Sequence, residues 1–265
     1  MIQYSTKKGL KANIKMKKQF LKDTIQANRE IFFAIRQGIK DEWQKEFSVG
    51  AGGDVSTGLD LFAEDIFIRY LSKYGKIESE ESGVVGDGEC TIIIDPIDGS
   101  SNAFSNFPYY GSSVALVDKD GRLKVAVVCN LANGDIFYKI EGKKVKFGNL
   151  ENPVFSVEKP LKKSKVGVFE RSYSFIEMGV KLVDANLKYR APGAVALSLA
   201  YAHRVDYVLY MGDIRIYDFA AGLGLCEDLQ VSISKNYVIV SKDKAILDKI
   251  ESLIIGRKKG NIKVA

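Results

Sequence analysis

Among 265 residues there is one histidine, one tryptophan, five prolines and three cysteines. A single imidazole excludes a multi-histidine zinc site, and any Ser-His-Asp or Cys-His nucleophile system would have to use His203. His203 closes the apolar, helical-looking run Ala194–His203, the usual setting of a structural histidine. Cys90, Cys129 and Cys226 are odd in number, widely spaced and form no Cys-x-x-Cys pair. That usage reads as reduced thiols in or near a core, and the expected location is cytoplasmic. No apolar stretch approaches bilayer length, so no membrane is expected. Acid is missing from residues 1–22, which hold seven lysines. The rest of the chain carries 32 basic and 33 acidic residues, so the net charge of +6 belongs to this segment. Residues 1–18 are read as a solvated basic arm without the apolar core of a secretory signal. It has little aromatic interleaving, so nucleic acid is not the expected partner. Carboxylates and hydroxyls are left to carry any chemistry.

What is present is concentrated in residues 91–102, Thr-Ile-Ile-Ile-Asp-Pro-Ile-Asp-Gly-Ser-Ser-Asn. An apolar run bounded by Pro and Gly reads as a buried strand entering a tight turn. Asp95 and Asp98 then lie close together at a sheet edge, where two carboxylates repel unless a cation separates them. Hard oxygens at this density suit Mg²⁺ or Mn²⁺. The following Gly99, Ser100 and Ser101 offer N–H groups and hydroxyls at a helix start, a setting that favours phosphate.

Apolar spacing predicts a helix through Leu21, Ile25, Phe32 and Ile35 stopping near Gly38, a Gly-rich loop or hairpin over 47–58, and a second helix from Leu59 to Tyr70. Strands follow at 91–95, 113–117, 123–129, 135–140 and 143–147. A Lys- and Pro-containing stretch, 151–165, reads as a boundary, giving an N-terminal α+β half over 19–150 and a C-terminal half over 151–265. In the second half strands at 165–169, 187–190, 205–210 and 237–240 alternate with helices at 172–182, 194–203, 218–226 and 243–255, which suits an α/β layer.

Further acids punctuate this order. Asp60 completes Thr57-x-x-Asp60, a capping-box pattern that by itself calls for nothing beyond a helix start. Glu80-Glu81 reads equally as a solvated turn, and Asp218, ahead of an apolar helical run, as a plain N-cap. Together with Asp-Pro-Ile-Asp-Gly-Ser-Ser-Asn and Tyr-Asp-Phe-Ala-Ala-Gly (217–222), the set resembles the inositol monophosphatase / fructose-1,6-bisphosphatase superfamily of Mg²⁺-dependent phosphatases over about residues 20–240. Tyr217 stands where the family has Trp.

The resemblance implies an α/β fold layered α-β-α-β-α with the site between the halves, and a phosphomonoesterase acting through water activated at two or three Mg²⁺ ions. Mn²⁺ would substitute, and Li⁺ inhibits many relatives. The implied metal ligands are Glu80, Asp95, the Ile97 carbonyl, Asp98 and Asp218, with Glu81 as the competing choice for Glu80. Asp60 with the Ser100 hydroxyl would hold the attacking water. Asp98, Gly99, Ser100, Ser101, Gly193 and Tyr210 would line the substrate. Tyr210 occupies the place where inositol-type relatives carry a Glu, while Asp-Gly-Ser-Ser-Asn is spelled as in fructose bisphosphatases. The expected substrate is therefore a sugar or polyol phosphate, with adenosine 3′,5′-bisphosphate as the alternative. Relatives are commonly homodimers. A binding protein that kept the fold, or a nucleic-acid-associated factor using the lysine arm, is the alternative outside catalysis.

Overall fold

A computed structural model describes residues 7–256, with the side chains of 13–256. The described residues form two compact units: 7–158 with 194–197 and 215–225, and 159–193 with 198–214 and 226–256.

The first unit contains α1 (Lys7–Ile35), β1 (Glu46–Val49), β2 (Val55–Thr57), α2 (Gly58–Leu71), β3 (Lys76–Ser79), β4 (Gly83–Val85), β5 (Thr91–Asp98), α3 (Ser100–Phe104), β6 (Gly111–Val117), β7 (Leu123–Asn130), β8 (Asp135–Ile140), β9 (Lys146–Asn149) and β10 (Ser156–Val157). Strands β3 to β10 form one sheet in the order β10-β9-β8-β7-β6-β5-β3-β4, antiparallel except for the β3–β5 pair. Phe20, Ile31 and Phe32 of α1 and Leu59 and Phe67 of α2 pack with Ile92 and Ile94 of β5 and Val125 and Val127 of β7 into one core. Each such side chain, fully buried, contributes about 1.5–3 kcal/mol of transfer free energy. Ile93 points to the other face and is buried too. A strand covered on both faces needs an unbroken apolar run, which is what residues 91–94 supply. The segment expected as a loose arm is, from Lys7 onward, the first turns of α1. Lys, Ala, Met and Gln favour helix without leaving an apolar stripe, so periodicity alone placed the helix start too late.

The second unit holds β11 (Gly167–Glu170), α4 (Ile176–Asp184), β12 (Tyr189–Arg190), β13 (Tyr207–Met211), β14 (Gln230–Ser234), β15 (Tyr237–Ser241) and α7 (Lys244–Ile255). Helix α5 (Val195–Ala200) begins in the stretch assigned to the first unit, and α6 (Ile216–Leu225) belongs wholly to that unit. The sheet order is β12-β11-β13-β15-β14, parallel from β12 to β13 and antiparallel thereafter. Phe169, Leu209 and Ile239 from its strands meet Met178 and Leu182 of α4 and Leu247 and Ile250 of α7. His203 is buried, and its Nε2 lies 3.0 Å from Asp228 Oδ1. Among the described residues no helix is long and apolar enough to cross a membrane.

Candidate active site

The Asp-Pro-Ile-Asp turn departs from regular strand geometry. Asp95 pairs with Ser113 and Asp98 with Gly111, so three steps along β5 match two along β6. In an unbroken strand residues three apart face opposite sides. The extra residue is a β-bulge, and because Ser113 and Gly111 share one face of β6, it brings both aspartates to the same side. Gly111 has no room for a side chain: a Cβ there would lie 2.1 Å from the Cys129 carbonyl oxygen.

Two other elements bring acids to Asp95. Glu80 follows β3, whose Ser79 lies beside Ile94, and its N–H donates to the Ile94 carbonyl at 3.1 Å. Asp218 lies in the first turn of α6, and Ser113 Oγ donates to the Tyr217 carbonyl at 3.1 Å, tying that helix start to β6. Carboxylate oxygens of Glu80, Asp95 and Asp218 all lie within 4.8 Å of one another, and all three residues are buried. Asp95 is 2 % exposed, and among the described residues no hydrogen bond or ion pair reaches its carboxylate. Burial first, then the neighbouring acids, hold its proton affinity well above that of an ordinary carboxylate. Burial likewise pushes Glu80 up to about 7, against the pull of Arg215. An orphaned buried carboxylate between two others has the chemistry of a divalent-cation site with hard oxygen donors.

Of the adjacent pair, Glu80 joins this group. Glu81 instead accepts a hydrogen bond from Ser56 Oγ, and burial raises it to about 7. Asp98 stands outside the three-acid group. Its oxygens accept the N–H groups of Val195 at 3.0 Å and Leu197 at 3.1 Å, in the chain segment that returns to this unit. Ile97 occupies the bulge and is buried. Gly99 takes the left-handed conformation (φ 88°) that turns the chain into α3, so Ser100 and Ser101 open that helix with N–H groups lacking intrahelical partners.

Asp60 does form the capping box, and it faces Thr57 rather than Ser100. Its Oδ2 accepts the Thr57 N–H at 2.8 Å and the Thr57 hydroxyl at 2.6 Å. Burial raises its proton affinity despite those bonds. No hydrogen bond joins Asp60 to Ser100 among the described residues. Gly193 and Tyr210 belong to the second unit. Gly193 (φ 85°) donates its N–H to Glu170 Oε2 at 3.0 Å, and the Tyr210 hydroxyl donates to the Asp213 carbonyl at 2.6 Å.

Arg215, three residues before Asp218, is a site residue that the sequence motifs do not single out. Its guanidinium grips Asp218 with two bonds, Nε to Oδ2 at 2.9 Å and Nη2 to Oδ1 at 3.1 Å, while Nη1 meets Glu80 Oε1 at 2.8 Å and Asp54 Oδ2 at 2.6 Å. The Arg-x-x-Asp spacing was visible, but only the fold shows that Glu80 and Asp54 share the same guanidinium.

Comparison with known proteins gives the family and the fold. The sequence model of the inositol monophosphatase family matches residues 20–229. A fructose-1,6-bisphosphatase/inositol-1-monophosphatase of Methanothermobacter thermautotrophicus is 32% identical over 200 residues, 68% of this chain and 71% of that one. The Nus factor SuhB of Escherichia coli is 30% identical over 67% of this chain and 70% of its own. A bifunctional NADP phosphatase/NAD kinase of Methanococcus maripaludis is 27% identical over 78% of this chain, which spans 42% of that protein. The fold matches the SuhB structure from Bartonella henselae with a TM-score of 0.73 at 22% identity, covering 91% of this chain and 99% of that one. It matches a Thermotoga maritima IMPase at 0.71 and 22% identity, covering 89% and 96%. The chain belongs to the inositol monophosphatase family and has its α/β fold. Its class is that of the phosphatases.

Proposed function

We propose that the protein is a Mg²⁺-dependent phosphomonoesterase of sugar or polyol phosphates, acting on inositol monophosphate, fructose 1,6-bisphosphate or both. The observation that carries the reading is Asp95: a buried carboxylate without a hydrogen-bond partner, held beside Glu80 and Asp218. These three would hold the ions, with Asp98 and the Ile97 carbonyl completing the donor set. When bound, divalent ions neutralise phosphoryl charge and acidify water. Asp60 is the acid that takes the proton from the attacking water. Its Oδ2 accepts both bonds from Thr57 and burial raises its proton affinity, which leaves Oδ1 as the oxygen that would receive the proton. N–H groups at Gly99, Ser100 and Ser101 meet the phosphoryl oxygens. The name of the Methanothermobacter relative supports the substrate class.

The test is Mg²⁺-dependent phosphate release from inositol 1-phosphate, fructose 1,6-bisphosphate, NADP and adenosine 3′,5′-bisphosphate. Release from either of the first two, at least tenfold faster than from the last two, is the expected result. Preference for a nucleotide would overturn the substrate assignment, and no release from any would overturn the activity.

A further inference from the structure

We infer that Arg215 is a resident counter-cation of the acid group: it holds Glu80 and Asp218 together in the metal-free protein and weakens divalent-cation binding. This rests on the reading of Glu80, Asp95 and Asp218 as a cation site. An arginine stays charged at every accessible pH and presents its donors as a rigid fork. Here the fork is spent on the acids themselves, with two bonds to Asp218 and one to Glu80. Both oxygens of Asp218 and Oε1 of Glu80 therefore each have one lone pair committed before an ion arrives. Asp95 receives none of these bonds. Counting only the three buried acids, since Asp54 is solvent-exposed and screened, one guanidinium reduces their ionised charge from −3 to −2, the charge that a single divalent ion neutralises. Each further ion must enter against a fixed positive group that lies within bonding distance of two of its ligands. Asp54, from the turn between β1 and β2, keeps its own bond to Nη1, so the guanidinium retains an anchor when an ion takes Glu80.

The experiment is calorimetric titration of the metal-free full-length protein with Mn²⁺, comparing wild type, Arg215→Gln and Arg215→Lys. Arg215→Gln should bind Mn²⁺ at least tenfold more tightly than wild type. Arg215→Lys, which keeps the charge, should stay within about threefold of wild type. Melting temperatures add a second readout. Metal-free Arg215→Gln should melt lower than wild type, and saturating Mn²⁺ should raise its melting temperature by more than it raises that of wild type. Should Arg215→Gln not fold without metal, it is purified with Mn²⁺ and stripped with a chelator, and it should need at least tenfold more chelator than wild type. Equal or weaker Mn²⁺ binding by Arg215→Gln overturns the inference while leaving the cation site in place. Wild type that binds no Mn²⁺ overturns the cation site itself.

Discussion

Asp60 Oδ2 accepts two hydrogen bonds from one residue, the N–H and the hydroxyl of Thr57, while the Asp60 N–H faces the Thr57 hydroxyl at 3.4 Å. One pair of side chains thus starts α2 and fixes the orientation of a buried carboxylate. Thr57→Val removes the hydroxyl from both roles. It should cost about 1 kcal/mol of stability, the usual worth of an N-cap, and lower kcat by about tenfold or more while KM changes little. Asp60→Asn should lower kcat by about 10²–10⁴, the range of a lost general base. Steady-state kinetics beside chemical denaturation separate the two effects, and wild-type turnover in Asp60→Asn would remove that residue from the chemistry.

Asp95 is held among like charges without a hydrogen-bond partner, so it opposes folding of the metal-free chain. Asp95→Asn should abolish Mg²⁺-dependent hydrolysis and at the same time raise the metal-free stability, by about 1–2 kcal/mol, since it removes a buried group that folds only by taking up a proton or by staying ionised among like charges. Urea unfolding in the presence of a chelator measures the gain. Loss of both activity and stability would mean that Asp95 serves as a structural residue.

Burial raises Glu80 and Glu81 from 4.5 to about 7. Between those values the folded chain keeps protons that the unfolded chain releases, so stability from these groups is present at low pH and is lost as pH rises through 7. The melting temperature of the metal-free protein should therefore fall between pH 5.5 and pH 8. Saturating Mn²⁺ selects the ionised carboxylates, and the trend should then run the other way. Scanning fluorimetry across that window checks both slopes.

The bulge at Pro96-Ile97 depends on close approach at Gly111. Gly111→Ala would place a methyl group 2.1 Å from the Cys129 carbonyl oxygen and 2.9 Å from Leu197 Cδ2. Backbone at that distance cannot give way cheaply, so the substitution should cost about 3 kcal/mol or more, the upper range for overpacking. Gly142→Ala, in a turn with open space around it but a φ of 70°, should cost about 1 kcal/mol. Denaturation midpoints rank the two.

Much of the site was legible because its chemistry is local in sequence. The apolar run to Ile94, the Asp-Pro-Ile-Asp turn and the Thr57-x-x-Asp60 spacing each encode their own geometry. The capping box and a role in the site read as competing accounts of Asp60, yet one carboxylate can serve both. Pairings that depend on long-range folding were not legible. Ser56 with Glu81 and Arg215 with Glu80 and Asp54 join residues separated by 25, 135 and 161 positions. Strand β14 was missed because it is short: Gln-Val-Ser-Ile-Ser alternates but offers only two apolar residues, both exposed, whereas its partner β15 is a continuous, buried apolar run. The second sheet is mixed: after α6 the chain enters β14, and the tight β14–β15 hairpin turns β15 back to lie antiparallel between β14 and β13.

Anomalous diffraction from crystals soaked in Mn²⁺ tests the central claim most directly. The account predicts a manganese peak bonded to oxygens of Glu80, Asp95 and Asp218. A fully soaked crystal with no peak among those three carboxylates, or with manganese bound only elsewhere, would contradict it.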